Sequence, residues 1–354
     1  MKKIALLFGG KSAEHEVSIT SANSLLAGIG SDRFEIVPIK ISKNGDWCTP
    51  LESKNELKKE ILPKLVFPDI GKDQLITFLK EEIDVVFPLL HGTYGEDGSI
   101  QGFCEIIGKP YVGAGVLGSS SGMDKDVTKI ILKSYGLPVV PSLTVRVSDW
   151  GLKKQNLINS IQNEFRFPIF VKPCNSGSSI GITKVKSFSE LEGAINFAFR
   201  FDSKLLIEPG LFVREIEISV LGNEKIEVSL PGEIHPGAEF YDYQDKYHSA
   251  SSWSEIPAKL EDDLIKNIQK TAELAFIALN LGGMARIDFF IDKKTDELFV
   301  NEVNTIPGFT PISMYPKMWE ASGLGYSDLI EKLVDLAIER FEKREKIAAN
   351  FLNL

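Results

Sequence analysis

Two stretches in the last quarter of the chain carry the residues best suited to chemistry. They are Arg286-Ile-Asp288-Phe-Phe-Ile-Asp292 and Leu298-Phe-Val-Asn-Glu302-Val-Asn304-Thr-Ile-Pro-Gly308. Both are rich in β-branched and aromatic residues, and the polar link 293–297 reads as a hairpin loop of about five residues. Side chains alternate along a strand, so Arg286 and Asp288 share a face, as do Glu302 and Asn304. A register that pairs Asp288 with Glu302 also pairs Arg286 with Asn304. It gathers two carboxylates and an amide oxygen on one patch. Adjacent carboxylates repel unless a cation or a shared proton lies between them. All-oxygen ligands suit a hard cation, and a few carboxylates completed by phosphate oxygens suit Mg²⁺. The plain alternative is a surface hairpin with solvated charges. An Arg-x-Asp strand beside a Glu-x-Asn strand, followed by Pro-Gly, favours the metal site.

A second group lies at Lys172-Pro-Cys-Asn-Ser-Gly177-Ser178-Ser179. Its backbone N–H groups and hydroxyls can ring a phosphate, with Lys125 and Lys172 supplying charge. The same composition also suits a plain hairpin turn, and both readings stand. Near the start, an apolar strand at 4–8 runs into Gly9-Gly10-Lys11-Ser12-Ala-Glu14. This is not a Walker A loop, because the first glycine of that pattern is missing, and one Gly-rich turn is a poor dinucleotide fingerprint. Glu14 stands where strand passes to helix. There a carboxylate can meet a substrate ammonium, or simply be a charge near a helix N-terminus.

The elements that must position these groups follow from periodicity. A helix is expected over 18–29, with Ser18 as its cap and Gly30 as its stop. A strand at 34–41, an irregular stretch at 47–72, a helix at 73–82 and a strand at 84–89 follow. The last ends in His91-Gly-Thr-Tyr-Gly-Glu96-Asp-Gly98, before a helix at 99–107 and a strand at 111–112. Strands alternating with helices give an α/β unit with a parallel, doubly wound sheet and ligands beyond its carboxyl ends. A second unit begins near Met123, with helices at 124–135, around 153–165 and at 189–201, and strands at 143–147, 169–172 and 205–208. In the third, 214–221 alternates, with Ile216, Ile218 and Val220 on one face and Glu215 and Glu217 on the other. A strand at 226–230 pairs with it. A long polar, aromatic loop at 232–254 reads as a lid, then come an amphipathic helix at 259–281, the hairpin and a final helix at 327–341. The expected units are 1–122, 123–213 and 214–354.

A chain of 354 residues fits two or three domains with a core that needs no staples. The net charge of -9 argues against nucleic-acid partners and against an anionic membrane surface. Cys48, Cys104 and Cys174 form neither a disulfide framework nor a zinc pattern. The opening Met-Lys-Lys-Ile-Ala-Leu-Leu-Phe is too short an apolar run for a signal peptide and reads as a first strand. No run approaches a membrane span. A reducing cytoplasm is the expected compartment.

In order along the chain, these motifs resemble the D-alanine–D-alanine ligases of the ATP-grasp superfamily. The matching segments are Gly9 to Ser18, His91 to Gly102, Met123-Asp-Lys125, Lys172 to Ser179, Arg214-Glu-Ile-Glu217, Tyr241 to Tyr247, Arg286-Ile-Asp288 and Asn301 to Gly308. The resemblance implies an ATP-grasp architecture of three domains, α/β at the N-terminus and α+β in the ATP-binding part. ATP would lie between the second and third domains. It implies phosphorylation of one D-alanine carboxylate by ATP, then attack on the acyl phosphate by the amine of a second D-alanine, for peptidoglycan precursors. Asp288, Glu302 and Asn304 would hold two Mg²⁺ (or Mn²⁺). Lys125 and Lys172 would grip phosphates, with Ser179 in the covering loop. Glu208 and the backbone near Leu211 would read adenine, and Glu215 the ribose.

On the substrate side, the resemblance implies an oxyanion hole from Arg286 and the Gly308 N–H. Glu14 would bind the first ammonium, grouped with Ser178 and Tyr247. His91 would lie near the first substrate, and Lys246 and Ser313 would hold the second carboxylate. Related enzymes that make D-alanyl-D-lactate often carry histidine or phenylalanine where this chain has Tyr247, so Tyr247 favours the dipeptide over the depsipeptide. A catalytically silent ATP-binding regulator is the competing class. The complete set Glu14, Lys246, Arg286, Asp288, Glu302 and Asn304 speaks against it. A homodimer is also implied.

Overall fold

The structure is a computed structural model that describes residues 1–29, 33–61, 65–236 and 253–352. Its first sheet grows from Lys-Lys-Ile-Ala-Leu-Leu-Phe-Gly, a nearly continuous apolar run of the kind buried on both faces. These residues form β1 (Lys2–Gly9), with β2 (Phe34–Ile41) and β3 (Val85–Leu89) parallel on either side in the order β2-β1-β3. Ile4, Leu6 and Phe8 enter one core with Ala22, Leu25 and Leu26 of α1 (His15–Gly28). A short α2 (Pro50–Ser53) lies within the stretch expected to be irregular. Ala5 and Leu7 enter the other core, with Leu75 and Leu79 of α3 (Leu75–Glu81) and Ile100 and Cys104 of α4 (Ser99–Ile106). Both faces are therefore covered, which is the doubly wound arrangement.

Two local expectations change here. The strand at 111–112 is only an isolated parallel bridge between Tyr111 and Val86. The first helix starts at His15, not at Ser18. Ser18 is no cap: its Oγ accepts from Gly9 N–H at 2.8 Å and donates to the Leu89 carbonyl at 2.5 Å. It ties the carboxyl ends of β1 and β3 to the helix, which fixes the floor of the site. The expected stop, Gly30, lies outside the described residues.

The middle of the chain begins with α5 (Val116–Met123), which the sequence reading did not anticipate, and α6 (Lys125–Ser134). Asp124 caps α6 by accepting from the N–H groups of Asp126 and Val127. A four-stranded antiparallel sheet follows in the order β4-β7-β5-β6, from β4 (Leu143–Arg146), β5 (Ile169–Pro173), β6 (Thr183–Val185) and β7 (Lys204–Pro209). Val145, Val171, Leu205 and Ile207 pack under α7 (Val147–Glu164) and α8 (Phe188–Ala198). The helix expected around 153–165 starts earlier, at Val147, with a kink at Lys153 where φ is -129°.

The third sheet is antiparallel and six-stranded, ordered β11-β10-β8-β12-β13 with β9 also on β8. Its strands are β8 (Val213–Gly222), β9 (Ile226–Val228), β10 (Gly232–His235), β11 (Trp253–Glu255), β12 (Gly283–Asp292) and β13 (Leu298–Asn304). One face packs Ile216, Ile218, Val220, Ile287 and Phe289 against Ile268, Ala272, Ala275 and Phe276 of α9 (Asp262–Ala278). The expected lid loop 232–254 differs at both ends. Gly232–His235 extend the sheet, Gly232, Glu233 and Ile234 pairing with Glu217, Ile216 and Glu215, and Trp253 begins the strand that pairs back. Residues 237–252 lie outside the described residues. Two helices close the chain, α10 (Met314–Ala321) and α11 (Tyr326–Leu352). The second outruns the expected 327–341, and its Leu329, Ile330, Leu333 and Val334 return to the core beneath β1. No described helix is long and apolar enough to cross a membrane.

Candidate active site

The β12–β13 hairpin pairs Arg286 with Asn304 and Asp288 with Glu302, the register expected from the sequence. Simple alternation, however, would have aimed two of these side chains wrongly. Leu298 and Val300 point into the core, so an unbroken period of two would send Glu302 and Asn304 there as well. The register shifts between Asp288 and Phe289: Phe289 faces Val300, and Asn301 is the extra residue. That bulge reverses the parity, so Val303 goes to the core and Glu302 and Asn304 join Arg286 and Asp288. On the other side of β12, β8 sets Glu217 opposite Asp288. Glu217, Asp288 and Glu302 thus form a row of carboxylates across three strands.

Cations brace this row. Arg286 donates from Nε and Nη2 to the two oxygens of Asp288, each at 2.7 Å, and its Nε is 3.0 Å from Glu217. Burial opposes the guanidinium charge, but Asp288, Glu217 and Glu302 hold its pKa well above the ordinary value. Asn304 Nδ2 donates to Asp288 at 3.0 Å. Lys125 lies 3.4 Å from Glu302 and donates to the Ser176 carbonyl at 2.7 Å. The donor set is all oxygen and strongly anionic, so it fits a hard divalent cation. Asp288, Glu302 and Asn304 lie together on this patch, with Glu217 beside them.

Beside the row is a cavity of about 460 Å³, walled by Glu14, His91, Ser178, Arg286, Gly308 and Ser313 among others. Glu14 occupies the cap position of α1, yet its side chain makes no capping bond. It accepts from Ser178 Oγ instead. Glu14 thus both lines the cavity and stands at the helix N-terminus, so both of its readings stand. Ser178 and Ser179 hold left-handed backbone, with φ of 47° and 59°. A Cβ at Gly177 would meet Glu14 Oε2 at 2.6 Å, so any side chain there would push the Glu14 carboxylate aside.

His91 and Glu96 hold the backbone of one residue, Ile306, at its two polar groups. His91 Nδ1 lies 3.0 Å from the Ile306 carbonyl and its Nε2 lies 3.0 Å from Ser21 Oγ. Glu96 accepts the Ile306 N–H at 2.9 Å and the Gly92 N–H at 2.8 Å. Burial lowers the His91 pKa. Burial, then the nearby charge of Glu14, pushes Glu96 up to about 7. Gly308 follows two residues after this clamp, and a Cβ there would lie 2.6 Å from Ser313 Oγ. Ser313 in turn accepts the Thr310 N–H at 3.0 Å.

A smaller cavity of about 70 Å³ lies between the two antiparallel sheets, lined by Lys125, Lys172, Ser179, Glu215, Asp288 and Glu302. Lys172 is paired with Glu208 at 2.6 Å, and Lys129 meets the other oxygen of Glu208, also at 2.6 Å. Burial would raise the Glu208 pKa, but Lys172 and Lys129 hold it below the usual range. Neither Glu208 nor the half-buried Leu211 lines either cavity. Lys246 and Tyr247 lie outside the described residues.

Sequence reasoning gave no role to Glu96, Glu217 or Lys129. Glu217 had a signal, since it shares the polar face of β8 with Glu215. Glu96 sat inside a Gly-rich motif without a periodic cue. Lys129 gave none, because a buried lysine on an amphipathic helix looks like any other.

Comparison with known proteins agrees with this geometry. The family model "D-ala D-ala ligase N-terminus" matches residues 3–114, and "D-ala D-ala ligase C-terminus" matches 131–335. A D-alanine–D-alanine ligase of Clostridium acetobutylicum is 46% identical, with 96% of this chain and 98% of that protein covered. One of Enterococcus faecalis is 44% identical over 96% of this chain and all of its own length. Among solved structures, the D-alanine–D-alanine ligase of Coxiella burnetii superposes with a TM-score of 0.81 at 35% identity, covering 99% of this chain and 97% of that one. The VanG D-Ala:D-Ser ligase of Enterococcus faecalis also gives 0.81 at 35% identity, covering 95% and 99%. Matches of this extent, over a parallel N-terminal sheet and two antiparallel sheets flanking a carboxylate row, place the chain in the D-alanine–D-alanine ligase family, with its ATP-grasp architecture.

Proposed function

We propose that the chain joins two D-alanines at the expense of ATP, giving D-alanyl-D-alanine, ADP and phosphate by way of an acyl phosphate, for peptidoglycan precursor synthesis. The observation that carries this reading is the single cavity shared by Glu14, Arg286 and Gly308, with the carboxylate row as its neighbour. Glu14, held by Ser178, offers a buried negative charge to the first ammonium. Arg286 and Gly308 line the same space, and their N–H groups are assigned to the oxyanion that develops on the carbonyl oxygen of the attacked carbon. Such preorganised donors are worth more in a dry site than in water. The His91–Glu96 clamp on Ile306 fixes the backbone that presents Gly308. Ser313 is assigned to the second carboxylate, with Lys246; Tyr247 is assigned to the Glu14–Ser178 group.

ATP is assigned to the space between the two antiparallel sheets. Lys125, Lys172 and Ser179 serve its phosphates, Glu215 its ribose, and Glu208 with the backbone near Leu211 its base. On this reading Lys172 releases Glu208 when nucleotide arrives. Asp288, Glu302 and Asn304 hold two divalent cations (Mg²⁺ or Mn²⁺), which supply neutralising charge for phosphoryl transfer. The units are assigned as 1–122, 123–213 and 214–354, although α11 packs on the first sheet. The chain is assigned to the cytoplasm as a homodimer.

The test is phosphate release with ATP, Mg²⁺ and D-alanine, with D-lactate or D-serine added across a pH series and products weighed by mass. Dipeptide as the main product near neutral pH supports the reading. Depsipeptide keeps the fold and ATP site but overturns the Tyr247 argument, whereas D-alanyl-D-serine changes only the second substrate. No turnover with any acceptor leaves the nucleotide-binding regulator.

A further inference from the structure

A second cluster of ligand-type side chains sits at the far edge of the third sheet. The β10–β11 pairing sets Glu233 opposite Glu255 and His235 opposite Trp253. Residues two apart share a face, so these four side chains form one patch. The ligand atoms of Glu233, His235 and Glu255 lie within 4.8 Å of one another. Glu233 is buried and the other two are half-buried.

The His235 ring stacks on Trp253, with centroids 3.9 Å apart and planes 10° apart. The stack fixes where Nε2 points. That nitrogen is shielded from solvent and has no hydrogen-bond partner among the described residues. Its nearest charged neighbours are carboxylate oxygens of Glu233 and Glu255, each at 3.9 Å. A hydrogen bond cannot span that distance. A shared metal can: with bonds of about 2.1 Å, donors on one tetrahedral ion lie about 3.4 Å apart. A contraction of about half an ångström brings His235 Nε2 to that spacing from each carboxylate, whose oxygens lie within 4.8 Å of one another.

Existing ion pairs do not block it. Arg214 gives one N–H to each oxygen of Glu233, at 2.9 and 2.6 Å, and each oxygen keeps a lone pair. Lys259 pairs with Glu255, but its side chain is 84% exposed and can withdraw to water.

We propose that Glu233, His235 and Glu255 bind one borderline divalent cation of the Zn²⁺ or Co²⁺ kind, separate from the cations of the β12–β13 hairpin. One imidazole with two carboxylates selects such ions, whereas an all-oxygen set selects Mg²⁺. The ion clips β11 to β10. Ile234, Trp253 and Ser254 of these strands also line the larger cavity, so the clip stiffens one of its walls.

The full chain, stripped of metal and held in excess Mg²⁺, is titrated with Co²⁺ while visible absorption and tryptophan emission are read. One Co²⁺ is expected to bind, to quench emission and to be displaced by Zn²⁺. Glu302→Gln should retain this site. His235→Gln should weaken it at least about tenfold, and Trp253→Phe should lose the quenching. Glu255→Gln serves as a second ligand variant should His235→Gln fold poorly. Equal Co²⁺ affinity in wild type and in the ligand variants overturns the proposal, as does Co²⁺ uptake that Mg²⁺ abolishes.

Discussion

Replacing Arg286 by alanine separates two jobs assigned to one guanidinium. In the structure Arg286 makes two 2.7 Å hydrogen bonds to Asp288 and a 3.0 Å contact to Glu217, with its side chain 16% exposed. Its removal leaves Asp288 and Glu217 side by side with little compensation. Breaking a buried pair in this way costs about 3–5 kcal/mol. With an unfolding entropy of about 2.1 cal/mol/K per residue, a chain of this length that unfolds as one unit loses about 4–7 °C in its midpoint. The rate loss has another origin. One missing oxyanion donor costs about 10²–10³ in kcat.

Mg²⁺ tells the two apart. The carboxylates freed from Arg286 remain oxygen ligands, so a divalent cation can supply the missing positive charge. The midpoint of Arg286→Ala should therefore recover several degrees on addition of Mg²⁺, by more than wild type gains. Its kcat should stay depressed, because the cation does not stand where the oxyanion forms. Scanning calorimetry with and without Mg²⁺, alongside phosphate release at saturating D-alanine, gives both numbers. A folded Arg286→Ala protein within tenfold of wild-type kcat would refute the oxyanion assignment. An equal Mg²⁺ gain in both proteins would refute the carboxylate-row reasoning.

Glu302→Gln should cut Mg²⁺-dependent turnover by at least about 10²-fold while changing stability by less than about 1 kcal/mol, since its side chain is 26% exposed; intact activity removes it from the metal set. Gly177→Ala should raise the KM for D-alanine about tenfold or more, because its Cβ would come 2.6 Å from Glu14 Oε2; unchanged kinetics show that the loop relaxes freely. Glu96 concerns pH. Its folded pKa, raised from 4.5 to about 7, lies above the unfolded value, so the folded chain binds the extra proton between these limits. Stability from this group is thus present at acid pH and falls as pH rises through that window, by about 2–4 kcal/mol. Chemical denaturation of wild type against Glu96→Gln at pH 4.5 and 7.5 should show wild type losing ground at the higher pH; parallel curves would put Glu96 at its ordinary value.

Much of this arrangement is readable from local pattern. The double-sided burial of β1 follows from its unbroken apolar run, and the polar and apolar faces of β8 follow from the alternation of Glu215, Ile216, Glu217 and Ile218. The hairpin register follows from matching Arg-x-Asp to Glu-x-Asn. What local pattern misses are elements decided by their neighbours. Gly232–His235 become a strand because β8 presents an open edge, and Ser18 leaves the cap because the ends of β1 and β3 supply better partners.

The orientation of Glu302 and Asn304 shows where the boundary lies. Leu298, Val300 and Val303 all enter the core, and no single period of two contains them. That broken alternation is the trace of the Asn301 bulge, and it was visible in the sequence, but only a known core face turns it into an orientation for Glu302. Burying Val303 beside Val300 requires one residue to be passed over, so the demand of the core for apolar contacts is what turns Glu302 and Asn304 toward Asp288. The rest of the site has no such trace. Ser178 meets Glu14 across 164 residues of sequence, and Ile306 meets Glu96 across 210. Contacts so distant leave no periodic mark, because each partner obeys the local rules of its own loop. They arise only when the three sheets come together, so a change in the packing of α11 beneath β1 should reach the site before any change in the hairpin itself does.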